Sequence, residues 1–144
     1  MKTQSCKAKG RRLQQKIAAD IVAAFPNLQP DDVISTSMGC GGEDIRMSPL
    51  ARNSLPLSIE AKNQEKLNIW DAYAQASKNC SEDLTPCVVF KKNHTEMFAM
   101  LPWKTLLTIY VELGEKGNGK TSKRALEVLK ELNSLLRPDV TEEC

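Results

Sequence analysis

Leu57-Ser58-Ile59-Glu60-Ala61-Lys62 is the stretch on which the fold turns. Apolar Leu57, Ile59 and Ala61 alternate with Ser58, Glu60 and Lys62. Side chains on a strand point to opposite faces with period two, so the alternation predicts a strand. Leu57, Ile59 and Ala61 would face the core. Glu60 and Lys62 would project together from the other face, their Cα atoms roughly 7 Å apart. Upstream, Glu43-Asp44 ends a glycine-rich stretch. Asp44 opens the segment Asp44-Ile45-Arg46-Met47, which suits a hairpin partner for a short strand over Val33–Thr36. That pairing would carry Asp44 to Glu60. Two carboxylates and an ammonium at one point suit magnesium: carboxylate oxygens hold the hard cation, and water and phosphate oxygens complete its octahedron. Such an ion sharpens a water nucleophile and absorbs charge on a phosphate.

Asp44, a gap, and then Glu60-Ala61-Lys62 resemble the motif of the PD-(D/E)XK nuclease superfamily, an acid followed at variable distance by acid-x-Lys on a strand. Lys9-Gly10 at the start of a helix, Ser35-Thr36-Ser37-Met38-Gly39, Asp44 and Glu60-Ala61-Lys62 stand in the order seen in archaeal-type Holliday junction resolvases and related phage endonucleases. The resemblance spans about residues 7–101. It implies an α/β, restriction-endonuclease-like core with a central mixed β-sheet flanked by helices. It also implies Mg2+, with Mn2+ able to substitute, held by Asp44, Glu60 and the main-chain carbonyl of Ala61. Lys62 would orient or polarise the attacking water. The implied activity is a metal-dependent endonuclease that leaves 5′-phosphate and 3′-hydroxyl ends, and the implied substrate is branched DNA. Two symmetric cuts need two sites about a twofold axis, hence a homodimer. Glu43 stands where the family name has proline, and reads as an acid beside the site or on the surface rather than a third ligand.

Composition sets bounds around this reading. With 144 residues, a single domain is expected. Apolar residues at 41% and charged residues at 26% are ordinary for a globular chain. No apolar run reaches the length of a membrane span, and the basic N-terminus lacks the apolar core of a secretory signal. The expected location is the cytoplasm, that of the host cell if the chain is phage-encoded, with no membrane partner. Five cysteines include no C-x-x-C pair, and there is one histidine, so a zinc finger is not expected and the thiols read as reduced. Net charge is only +2, but residues 1–16 carry six Lys and Arg and no acid. Basic ends around an acidic centre suit a protein that grips phosphates and holds a metal.

Residues 1–8 read as a flexible basic arm and residues 9–112 as the nuclease core. Leu13, Ile17, Ile21 and Phe25 make an apolar stripe at spacing four and predict a helix over 9–25, stopped by Pro26. Gln14 falls inside that stripe, where a polar group needs a partner. The resembling resolvases carry a glutamate at the matching place, so Gln14 is grouped with the catalytic residues. It either holds a metal-bound water or an active-site group, or is satisfied by backbone. Lys9, Arg11, Arg12, Ser35, Ser37 and Gln64 are the candidate DNA contacts. The run Ser37–Gly42 is either a tight turn or a DNA-contacting loop. Residues 47–56 read as a loop or short helical turn.

A helix is expected over 66–79, capped by Asn63 or Asn68, with Leu67, Ile69, Trp70, Tyr73, Ala74 and Ala76 as its apolar set. The resemblance implies that Gln75 on this helix turns back toward the site. Trp70 is assigned to the core. Cys87-Val88-Val89-Phe90 reads as a strand covered on both faces, Asn93-His94 as a hairpin turn with His94 exposed, and 95–101 as the return strand. Pro102-Trp103 starts a helix to about residue 111. Residues 113–137 hold a linker and an amphipathic helix, and 138–144 a flexible tail. Two other readings compete: a non-catalytic nucleic-acid-binding module, in which Glu60 and Lys62 are a surface ion pair, and a nuclease of other specificity, such as a nickase or restriction-like enzyme acting on duplex DNA.

Overall fold

The computed structural model describes residues 2–36, 41–113 and 123–136. Helix α1 (Lys2–Ala24) starts seven residues before the expected residue 9, so the basic arm is the first two turns of the same helix. Its buried face is the predicted one, with Leu13, Ile17, Ala18 and Ile21 in the core and Gln14 buried among them. A 3-10 turn at Pro30–Asp32 then feeds β1 (Val33–Ser35).

Strand β1 pairs antiparallel with β2 (Ile45–Met47), Val33 opposite Met47, which is the expected hairpin. Helix α2 (Pro49–Ser54) occupies the region read as a loop or helical turn, and Ser48 caps it by accepting from the Ala51 amide at 3.2 Å. Strand β3 (Leu57–Asn63) runs parallel to β4 (Thr85–Lys91), joined to it through α3 (Ile69–Asn79). Strand β5 (Phe98–Met100) returns antiparallel to β4, giving a mixed sheet in the order β3-β4-β5.

Central β4 is covered on both faces. Cys87 belongs to a cluster with Leu13, Ile17, Ile45 and Ile59 on the α1 side. The next residue, Val88, belongs to a cluster with Ala72 and Ala76 of α3 on the other side. Adjacent strand residues in two separate clusters are what period two demands of a strand between two layers of helix.

The sheet also differs from the expectation. The single central sheet is two sheets, β1-β2 and β3-β4-β5. The Asp44 amide reaches the Ile59 carbonyl at 3.2 Å, but the next donor, the Ala61 amide, goes to the Asp44 carboxylate at 2.8 Å instead of to a backbone carbonyl. A side chain thus takes the place at which a continuous ladder would have joined the two sheets.

Trp70 is 76% exposed rather than in the core. Residues four apart share a helix face, and Ala72 and Ala76 take the face toward the sheet, which leaves Trp70 about half a turn away from it. The face of β3 bearing Glu60 is also not open. Glu60 is 3% exposed, because α3 lies against that side of β3 and β4.

The chain divides into two compact units, Met1–Leu101 and Pro102–Cys144, so the core ends before the expected residue 112. The second holds α4 (Trp103–Leu113) and α5 (Lys123–Leu136). The expected linker at 114–119 and tail at 138–144 lie outside the described residues. Among the described residues no helix is long and apolar enough to cross a membrane.

Candidate functional site

Asp44 ends the connection that leads into β2, and its Oδ2 accepts the Ala61 amide of β3 at 2.8 Å. That bond sets the carboxylate beside the strand carrying Glu60 and Lys62. The Lys62 ammonium stands 3.0 Å from Glu60 Oε1 and donates to Gln75 Oε1 of α3 at 2.9 Å. An ammonium has three N–H donors, so a third remains after these two. Asp44, Glu60, Ala61, Lys62, Gln14 and Gln75 all line one cleft of about 880 Å³ in the first unit.

The electrostatics follow from burial. Loss of hydration holds the Asp44 carboxyl above its ordinary pKa, against the opposing Ala61 hydrogen bond and the charge of Lys62. Glu60 is likewise raised by burial, and by the neighbouring charge of Asp44. Its bond to Lys62 and the Lys62 charge pull it down, with a smaller contribution from the Asn79 side chain. Across the cleft, Gln14 Oε1 is buried with no hydrogen-bond partner. A buried acceptor left unsatisfied costs about 1–3 kcal/mol.

No protein-family model, curated protein or solved structure matches the chain. The site is therefore read from its own donor set. That set is two carboxylates, whose oxygens are hard ligands. Among the described residues no group of three or more His, Cys, Asp or Glu could hold a metal. Magnesium needs less, since it keeps several waters and takes one or two carboxylates together with substrate phosphates. Asp44 and Glu60, which line one cleft, fit that ion.

The other expected contacts divide. Lys9 and Gln64 line the cleft. Lys9 donates to Asn93 Oδ1 at 3.1 Å. Arg12 lies in a second groove. Arg11 is exposed on α1, and Ser35 is half-buried in β1, both outside the cleft lining. Ser37 lies outside the described residues. Glu43 is held by Arg52 at 2.7 Å, and Arg52 also donates to the Leu57 carbonyl at 2.7 Å. His94 is exposed at a turn with φ 59°.

Sequence reasoning missed Asn79, Lys78 and Lys7, which also line the cleft. Asn79 was within reach: it lies four positions after Gln75, on the same face of α3. Lys7 was hidden by reading its basic run as a flexible arm.

Proposed function

We propose that this chain is a magnesium-dependent DNA endonuclease of the PD-(D/E)XK type with a restriction-endonuclease-like core. The observation that carries this reading is the convergence of Asp44, Glu60 and Lys62, joined by the Ala61–Asp44 and Lys62–Glu60 contacts, inside a cleft also lined by Lys7, Lys9, Lys66 and Lys78. A surface ion pair would need neither a buried Glu60 nor a second carboxylate aimed into the same space.

The residues divide the work. Asp44, Glu60 and the main-chain carbonyl of Ala61 would hold the cation, with Mn2+ able to replace Mg2+. When bound, the ion supplies an activated water and neutralises charge on the reacting phosphate. Lys62 is fixed at two donors by Glu60 and Gln75 and offers its third to the water or to a phosphate oxygen. Gln14 lines the same cleft, and its unpartnered oxygen would hold a water or an active-site group. The lysine rim grips the flanking phosphates. In-line attack then leaves 5′-phosphate and 3′-hydroxyl ends. Branched DNA, cut by a homodimer, is the proposed substrate.

The test is cleavage of a labelled four-way junction and its matched linear duplex, with magnesium and with EDTA. Wild type should cut the junction symmetrically in magnesium alone. Glu60→Ala and Lys62→Ala should each lower the rate by about 10²-fold or more. Equal cutting of the linear duplex would keep the nuclease and discard junction specificity. Binding without cutting in any divalent metal would make the chain a binding module.

A further inference from the structure

A second groove of about 530 Å³ lies beside the cleft, between α1 and the turn joining β4 to β5. Four cations line it, Lys9, Arg12, Lys16 and Lys91, against a single carboxylate, Glu96. Lys16 is engaged by Asp20 one turn along the helix. Among the described residues Lys9, Arg12 and Lys91 are paired with no carboxylate. Three uncompensated cations in one concavity make a field that a polyanion relieves.

The groove is continuous with the cleft. Lys9, Asn63 and Asn93 line both. What divides them is a built strap. Lys9 donates to Asn93 Oδ1 at 3.1 Å, and the Asn93 amide donates to Glu65 Oε1 at 2.8 Å. The turn that carries Asn93 is closed by the Lys92 amide donating to Thr95 Oγ1 at 3.2 Å. Lys9 thus spends its bond on a neutral amide and keeps its charge for an outside partner.

Spacing favours a chain over a small anion. Lys9, Arg12 and Lys16 follow one helix face over seven residues, about 10.5 Å at 1.5 Å per residue. One duplex strand carries a phosphate about every 3.4 Å along its axis, so this row spans about three phosphates. The groove's apolar lining is Leu13 and Met97, and the one ring in it is His94, so there is no row of aromatic platforms for successive bases. It suits the sugar-phosphate backbone, whatever the sequence.

We propose that this groove is a second DNA track, carrying the backbone of the strand that leaves the cleft past the Lys9–Asn93 strap. The proposal rests on the nuclease reading for its choice of DNA as ligand. Duplex binding is measured in EDTA by fluorescence anisotropy over a salt series, with wild type, Arg12→Gln/Lys91→Gln and Arg46→Gln. Glutamine removes charge and keeps the stem. Arg46 lines neither cleft, and thermal melts check that each variant is folded.

The groove variant should bind about tenfold more weakly, and its log Kd against log salt slope should fall by about 2, while Arg46→Gln stays at wild type. Wild-type affinity and slope in the groove variant, or an equal loss in Arg46→Gln, would overturn the track. Wild type that binds but never cuts, with the groove effect intact, would overturn the nuclease and leave the track standing.

Discussion

Asp44 and Glu60 are costly to keep charged. Burial raises both above their ordinary values, so in the folded chain each holds its proton to higher pH than in the unfolded chain. The stability tied to this pair is therefore fully present below about pH 4 and is lost as pH rises through the raised folded values. Asn at position 44 keeps an oxygen for the Ala61 amide and removes the charge. Asp44→Asn should raise the metal-free melting temperature at pH 7 by a few degrees and flatten its dependence above pH 4, while abolishing cutting. Magnesium at about 100 times its Kd should stabilise wild type by about 2.7 kcal/mol and leave the variant unmoved. Thermal melts from pH 4 to 8, with and without magnesium, decide this, and a less stable Asp44→Asn at pH 7 would refute it. Gln14 poses the same conflict without charge, because its Oε1 is buried and unpartnered. Gln14→Leu should gain about 1 kcal/mol in urea unfolding, since it removes an unsatisfied acceptor at similar volume. The same variant should bind magnesium more weakly, read by the melting shift. A loss of stability would mean that the oxygen is satisfied in solution.

Helix α3 holds Gln75 and Asn79 over β3, so its seating sets the position of Lys62. Asn68 begins it by accepting from the Trp70 and Asp71 amides at 3.1 and 3.2 Å. Asn68→Ala should cost about 1 kcal/mol. Ala76 is 2% exposed against Val88, so Ala76→Leu should cost about 1–3 kcal/mol by overpacking and should also lower cutting, because it lifts Gln75 from Lys62. Cleavage rates and urea melts of both variants test this. If Ala76→Leu destabilises the protein while cutting stays at wild type, α3 does not position Lys62. This helix also marks how far sequence reading reached. Its end was legible from spacing, its cap was narrowed to Asn63 or Asn68, and the direction of Gln75 came only from the resemblance. Its buried face was not: two alanines carry little hydrophobic signal, and Trp70 beside them carries a large one. Strand β3, the β1-β2 hairpin and the two-faced β4 were legible because period two and continuous apolar runs are strong local patterns. The division into two sheets was not, because it depends on a side chain taking a backbone donor across seventeen positions of sequence. The early start of α1 was missed because residues 2–8 lack an apolar stripe.

Among the described residues, every buried hydrophobic side chain lies between Leu13 and Val88, and the side chains packed on both clusters extend no further than Leu101. The cleft and the second groove are lined entirely from Cys6 to Met97. Charge divides in the same way. Residues 1–101 hold thirteen Lys and Arg against eleven Asp and Glu, so the chain's whole +2 lies there and residues 102–144 are neutral. A chain of about 100 residues is also long enough to sustain one core. A protein ending at Leu101 should therefore melt in one cooperative transition and bind duplex DNA in EDTA within about threefold of the full chain, with the same salt slope, since that slope counts phosphate contacts. Thermal unfolding and anisotropy on the truncated chain decide both. A truncated chain that folds but has a salt slope lower by 2 or more would place DNA contacts in the last 43 residues, which include α5 with its Lys123, Arg124 and Lys130. A truncated chain with no transition would mean that the second unit contributes to the stability of the first. Retained binding with lost junction cutting would separate gripping DNA, done by the first unit, from assembling the paired site, which would then need the second.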